Sequence, residues 1–336
     1  MNFATPLPRA WSLALAALVA CIAGFIAAPG TNPGAAISTD IDQLWYAARA
    51  LISGGNPYDS IGPGTPVEFT YRLMYPLPAV LVAVPFAWFP IEALRATVAA
   101  SSAGLLTYCI ARTDPRGLVI LLSRSFYVNV TLVSWTPLLM LMWWWPRASA
   151  LLAIKPTVGL AMLAGVRKYR QALPGLLIAA AVTVFCFVIH PTWLSDWLQA
   201  TQSGPTTRPW ILTPWAFLVL LALVYPERWQ SRFLVAFMLV PQTPHTIAGL
   251  PLILLPSTFV ARLLIAVLTY LPGLLIVREP FGSRLDSLDT MHSMLATIVL
   301  WTVIIPTLAF VLWDGYRERR AEAGSRNQRI VVRQDA

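Results

Sequence analysis

Apolar residues run in long blocks along this chain, and polar residues gather between the blocks. The first block runs from about Trp11 to Ala28 and ends in the Gly/Pro-rich stretch Pro29 to Pro33. Further blocks follow at Leu77–Phe89, Ile91–Ile110, Leu118–Leu122, Tyr127–Trp145, Ala148–Val166 and Leu173–Ile189. The series ends with Ile211–Val224, Phe233–Val240, Ile247–Leu255, Thr258–Val277 and Met291–Leu312. A helix needs about 20 apolar residues to cross a bilayer, and several blocks are shorter. Prolines bound many of them. Half-helices or re-entrant pieces are therefore predicted, and such broken backbone is tolerated at membrane depth only where protein or a water-filled cavity covers it.

One segment departs from this pattern. From Asp40 to Ser53, Ile41, Leu44, Trp45, Ala48, Leu51 and Ile52 recur at helical spacing. Asp42, Gln43, Tyr46, Arg49 and Ser53 fall on the opposite face. This amphipathic helix is too short to span and suits the membrane surface. Gly54-Gly55 stops it, and Asn56-Pro57-Tyr58-Asp59 turns the chain. Ser60 to Tyr75 then forms a polar loop with Glu68, Tyr71 and Arg72.

Composition makes the solvent explicit. The 336 residues are 57% hydrophobic and only 12% charged, against roughly 25% charged in soluble domains. So apolar a chain needs lipid around it, and the fold class expected is an all-α, polytopic integral membrane protein. Residues 1–314 form one membrane-embedded unit, with 29–76 as its first extracytoplasmic loop, and 315–336 form a basic cytoplasmic tail expected to be disordered. The first block is read as an uncleaved span rather than a signal peptide, since many spans follow and the cleavage signal is weak.

Charge sets the orientation. The net charge of +9 concentrates at Arg167, Lys168 and Arg170, at Arg228 and Arg232, and in the tail at Arg317, Arg319, Arg320, Arg326, Arg329 and Arg333. Basic residues beside spans mark the cytoplasmic side, not a nucleic-acid partner. Arg9 places the N-terminus there too, so the first span delivers Asp40 to the outside, although Arg49 and Arg72 lie in that outer loop.

Few residues can carry chemistry in such a chain. Asp40 and Asp42 are two of only 15 acids. Each suits the first turn of a helix, where Ser38, Thr39 or Asp40 can serve as N-cap and a carboxylate favours the helix dipole. A carboxylate at the outer surface can equally accept the proton of an attacking hydroxyl. Lys155, one of two lysines, lies eight residues from Arg147, about 12 Å along a helix, and is followed by the helix-breaking Pro156. A lysine at that depth faces a cavity or a partner, such as a phosphate-bearing lipid headgroup, or it snorkels to an interface. Arg72, between Tyr71 and Tyr75, and Arg124, beside Phe126 and Tyr127, can bind phosphate and stack on sugars, or anchor span ends. His245 interrupts two short apolar pieces and can line the cavity. His190, His245 and His292 lack paired ligand spacing, and Cys21, Cys109 and Cys186 all sit in apolar runs, so neither metal nor disulfide is expected. Glycine-rich phosphate loops and nucleotide fingerprints are missing from the sequence, which argues against ATP or a nucleotide sugar.

With these residues in view, the chain resembles the polyprenol-phosphate-mannose-dependent α-1,2-mannosyltransferases of the GT-C class, glycosyltransferase family 87. The resemblance rests on Asp40, the helix Trp45-Tyr46-Ala47-Ala48-Arg49-Ala50-Leu51, the turn Gly54-Gly55-Asn56-Pro57-Tyr58-Asp59, Tyr75-Pro76-Leu77-Pro78, and the Ile154-Lys155-Pro156 break. It departs at Ser134-Trp135-Thr136-Pro137, where the family often shows a Gly-Gln pair. The resemblance implies a GT-C-like bundle in the plasma membrane that moves a hexose, mannose in the family, from a polyprenyl-phosphate carrier to a hydroxyl of a glycan or glycolipid on the outer face. It implies Asp40 as general base, with Asp42 as an extra acid, and no cofactor. Lys155, Arg72, Tyr71, Tyr75, Arg124 and His245 are the expected substrate-binding residues. The rival class is a non-enzymatic carrier of a lipid-linked sugar, which needs alternating access and usually internal repeats; the sequence carries no convincing repeat.

Overall fold

The computed structural model describes residues 5–29, 39–69, 71–202, 209–241, 249–278 and 288–334, and among these it is helical with no strand. His245 lies outside the described residues. Among the described residues four helices are long and apolar enough to cross a membrane: Arg9–Ala27, Ile91–Thr113, Tyr169–Ile189 and Met294–Ser325. The chain is thus a multi-pass, all-α protein by length and composition. The helices are α1 (Arg9–Ala27), α2 (Asp40–Ile52), α3 (Pro57–Ser60), α4 (Leu77–Ala83), α5 (Ile91–Thr113), α6 (Arg124–Thr131), α7 (Thr136–Met140) and α8 (Pro156–Ala164). They continue with α9 (Tyr169–Ile189), α10 (Trp193–Gln202), α11 (Trp229–Leu239), α12 (Phe259–Leu268), α13 (Leu271–Arg278), α14 (Leu288–Val299) and α15 (Ile305–Gln334). Tighter helical turns fill Pro115–Leu122, Pro146–Ala153 and Ala216–Val224, each led or flanked by residues that interrupt the α pattern.

Two antiparallel helices form the frame. Ala16, Ala20 and Gly24 make a four-residue repeat on α1, matched by Ala96, Ala100 and Gly104 on α5. A Cβ on Gly104 would lie 3.0 Å from that of Ala20, and one on Gly24 would lie 3.2 Å from the Ala96 carbonyl oxygen. Lipid offers helices no hydrophobic drive to associate, so close approach through small residues supplies the van der Waals contact. The amide of Leu7 and the guanidinium of Arg112 fasten the far end, donating to the carbonyls of Ala111 and Leu7.

The remaining elements sort between two ends of this frame. Trp144 donates to Thr113, Trp143 packs edge-on against Trp229, and Arg232 donates to the Ala164 carbonyl. Arg228 bonds the Val311 carbonyl and Glu318, and Arg262 pairs with Asp114. The start of α9 joins this Arg112 end, where Tyr169 donates to the Ala164 carbonyl. Most of the basic clusters singled out in the sequence therefore gather at one end. The end of α9 reaches the other, where His190 meets Asp196, which also accepts from Asn56. That is the Asp40 end.

Three differences from the sequence expectations have physical causes. The apolar run Tyr127–Trp145 is not one helix: α6 and the helical stretch Thr136–Trp143 meet at a 117° bend. Val133 at the bend has φ of 49°, a region disfavoured for a β-branched residue, and Pro137 restarts the chain inside the next helix. Second, the periodicity puts Asp42 and Gln43 on the polar face of α2, yet both are buried; Asp42 meets a cation from α5 there. Third, the tail expected to be disordered continues α15 to Gln334. Its Arg, Glu, Ala and Gln content favours helix, and the span before it has already paid for nucleation.

Candidate active site

Helix α2 starts with its own cap. The Asp42 amide donates to the Thr39 hydroxyl at 3.2 Å, and the Asp42 carboxylate accepts from the Thr39 amide at 3.4 Å, a complete capping box. Thr39 and Asp42 therefore do the capping, and the Asp40 side chain is left to other partners. The Asp40 amide donates to the Leu132 carbonyl at 2.9 Å, which ties the helix start to the α6–α7 bend. The helix ends where predicted. Gly54, at φ of 81°, sends its amide to the Leu51 carbonyl while Gly55 reaches that of Ala50, the paired bonds of a left-handed glycine stop.

Lys155 arrives from the opposite direction. The arms Pro146–Ala153 and α8 pack side by side around it, with Gly159 against Leu152; a Cβ there would stand 3.2 Å from the Leu152 Cα. Ser149 anchors the first arm to the Ala172 carbonyl of α9. The second arm ends at Ala164, among the arginines of the far end. Lys155 is the tip of this hairpin, where Pro156 denies the chain a continuous helix. Its Nζ lies 3.1 Å from Asp40 Oδ2, donates to the Tyr75 hydroxyl at 3.4 Å, and sits 5.5 Å from the centre of the Tyr75 ring. Side chains 115 positions apart thus form one cluster of acid, base and phenol. The Asp40 and Lys155 side chains remain 24% and 27% exposed, so a ligand can reach both. Tyr75 is buried, and burial first and the Asp40 carboxylate second push its hydroxyl well above the ordinary value. It stays a neutral phenol that can donate or accept a hydrogen bond.

Asp42 has a different partner. Arg95 Nε and Nη2 reach its two oxygens at 2.7 and 2.9 Å, a bidentate pair, and Arg95 also donates to the Pro29 carbonyl. With the side chains only 7% and 12% exposed, the pair fastens α2 to the frame helix. Sequence reading missed Arg95; its signal was a lone cation one turn inside an apolar span, which calls for a partner. Removing one member of such a pair leaves a charge unsolvated. Asp42→Asn is expected to lower stability by about 3 kcal/mol in thermal unfolding in detergent. Asp42→Leu with Arg95→Met should lose less than either single change, since no lone charge remains.

The turn after α2 supports Tyr75 from behind. Asn56 caps α3 through the Tyr58 amide, and its Nδ2 also meets Asp59 and Asp196 at 2.9 and 3.2 Å. Tyr58 is fully packed and donates to the Tyr75 carbonyl at 3.3 Å, while the indole of Trp197 holds the Met74 carbonyl. Asp196 is the hub of this network, accepting from Thr192 and paired with His190 at 2.8 Å. Burial acts to raise the Asp196 pKa, but hydrogen bonds from His190, Thr192 and Asn56 outweigh it and hold the carboxyl below its ordinary 3.8. A depressed folded-state pKa stabilises above the unfolded value and is lost as pH falls through the folded one. The gap in unfolding temperature between the wild type and Asp196→Asn should therefore stay constant from pH 6 to about 4 and shrink below 3.8.

The other expected binding residues stand apart. Tyr71 and Arg72 lie in the loop between α3 and α4, where burial raises the Tyr71 hydroxyl and Arg72 packs against Gly62. Arg124 lies against Gly273, its amide donates to the Thr269 hydroxyl, and its Nε is buried without a hydrogen-bond partner. Among the described residues, no hydrogen bond or ion pair joins Tyr71, Arg72 or Arg124 to Asp40 or Lys155. Nor do the described residues contain a group of three metal-ligating side chains. No family model, no curated protein and no solved structure matches this chain.

Proposed function

We propose that the chain is a membrane glycosyltransferase that moves a hexose from a polyprenyl-phosphate carrier to a hydroxyl of a glycan or glycolipid. The observation that carries this reading is the Asp40–Lys155–Tyr75 cluster: a carboxylate and an ammonium 3.1 Å apart, both partly open, in a chain dominated by apolar helices. Such a pair matches the two demands of sugar transfer from a lipid phosphate. The acceptor hydroxyl must lose a proton as it attacks, and the leaving phosphate needs a cation.

In the resting protein Lys155 holds Asp40. The donor phosphate replaces the carboxylate as its partner, which frees Asp40 to face the acceptor. The hydroxyl oxygen attacks the anomeric carbon in line and its proton passes to Asp40. The bond between the anomeric carbon and the phosphate oxygen breaks, and the electron pair leaves with the polyprenyl phosphate beside Lys155. Tyr75, neutral and buried, donates to the phosphate or to the freed carboxylate.

The architecture this implies is GT-C-like. The hairpin around Lys155 is a re-entrant element entering from the cytoplasm, and the Asp40 end faces the extracytoplasmic side of the plasma membrane. The gathering of Arg228, Arg232, Arg262 and Arg319 at the opposite end supports that orientation, because short loops rich in arginine and lysine stay cytoplasmic. Membranes carrying the chain, given a radiolabelled polyprenyl-phosphate hexose, should form a labelled product that control membranes do not. Identical label patterns in the two would refute the reading.

A further inference from the structure

The span Met294–Ser325 ends in two faces of opposite character, and only one of them is used within the chain. Asp314 turns inward, taking the Ser257 amide and hydroxyl at 2.8 and 2.7 Å. Glu318 pairs with Arg228, and Arg319 donates to the Val224 carbonyl and covers the Tyr225 ring at 4.4 Å. Gly315 lets the helix sit directly against that ring. Trp313, Tyr316, Arg317 and Arg320 fall on the other face, at the helical spacing of three, four and seven residues. Asp314 and Glu318 are thus turned inward, and among the described residues neither Arg317 nor Arg320 has an ion-pair partner.

We infer that Trp313, Tyr316, Arg317 and Arg320 form a binding site for the headgroup of an anionic phospholipid. These residues and Ala321 border a shallow, open depression of about 390 Å³ on the helix surface. The two rings lie 5.9 Å apart at 34° and are 57% and 47% exposed, a tilted pair with free faces. Tryptophan and tyrosine at the end of a span mark the headgroup level. An arginine fork binds phosphate oxygens through two parallel N–H groups, and two forks one turn apart can hold one phosphodiester and a neighbouring anionic group. Charge selects the lipid: a zwitterionic headgroup brings its own ammonium to two unneutralised cations, and an anionic one does not. This site is separate from the Asp40 cluster and does not depend on the reaction proposed there.

The test is lipid retention by the purified full-length chain, measured by native mass spectrometry after equilibration in mixed micelles of phosphatidylglycerol and phosphatidylcholine. Each basic residue near an anionic headgroup adds about fivefold in binding, so the wild type is expected to prefer phosphatidylglycerol by roughly 25-fold. Arg317→Gln with Arg320→Gln should bring the ratio close to one. Trp313→Leu with Tyr316→Leu, which keeps both charges, should still reduce the number of retained lipids, since the rings border the depression. Arg326→Gln with Arg329→Gln removes the same charge further along the tail and should leave the preference intact. No preference in the wild type would overturn the inference. Equal loss in the two arginine pairs would overturn it as well, because diffuse attraction to the tail would then account for the binding.

Discussion

Replacing Asp40 with asparagine should lower the transfer rate by about 10²- to 10⁴-fold while the protein still folds. That range is what a positioned general base contributes. The separation of rate from stability follows from the start of α2. Thr39 is the N-cap and Asp42 closes the box, so the helix keeps both capping bonds without the Asp40 carboxylate. The Asp40 backbone amide still reaches the Leu132 carbonyl. Unfolding in detergent should thus shift far less than for Asp42→Asn, and donor binding should stay within a few fold. Were asparagine at 40 to unfold the chain, its carboxylate would be structural and the assignment of base would fail.

Lys155→Gln is expected to be as damaging to transfer, by a different route. In the proposed reaction the ammonium meets the donor before transfer and the leaving phosphate during it, so both donor affinity and turnover should fall. Loss of one preorganised charge at a developing anion costs about 10²- to 10³-fold in rate. Lys155→Arg should recover part of the donor affinity, since a guanidinium also binds phosphate, although its fork cannot occupy the same point. The pairing of Lys155 with Asp40 adds a sharper expectation. Groups that act as one unit are not additive, so Asp40→Asn with Lys155→Gln should be little worse than the more damaging single change. A double variant whose loss is the product of the two would separate the residues into independent roles.

How far these features could be read from the chain depended on whether their causes were local. The limits of α2 were legible because the capping residues, the apolar periodicity and Gly54-Gly55 all lie within the seventeen residues from Thr39 to Gly55. The hairpin tip was legible because Lys155-Pro156 interrupts an apolar run with a charge and a helix breaker together. The partners were not. Asp42 and Arg95 are 53 positions apart, and nothing near Asp42 shows that its carboxylate is buried. Amphipathic periodicity assigns an acid to the wet face, and here a cation on another helix overrides it. The bend between α6 and α7 was hidden for a related reason. Hydropathy averages over so short a turn, and Val133 carries its positive φ inside a buried stretch. His190 and Asp196 lie close in sequence, yet their role as the hub behind Tyr75 depends on Asn56, 140 positions away from Asp196.

The structural roles divide accordingly. The α1–α5 frame, the Asp42–Arg95 pair and the Asn56–Asp196 network hold the first loop against the bundle. Asp40, Lys155 and Tyr75 meet where the first loop touches the hairpin tip. This division accounts for two acids two residues apart with different duties. It also explains why a single lysine at the tip of a broken hairpin can serve the site.

The most direct test follows the label with purified protein in liposomes that contain a polyprenyl-phosphate hexose, radiolabelled in the sugar, and an acceptor glycolipid. The proposed reaction predicts one polyprenyl phosphate released for each labelled acceptor formed, and neither product with Asp40→Asn. Movement of the intact labelled donor across the bilayer, with no sugar on the acceptor, would contradict it and identify a carrier instead.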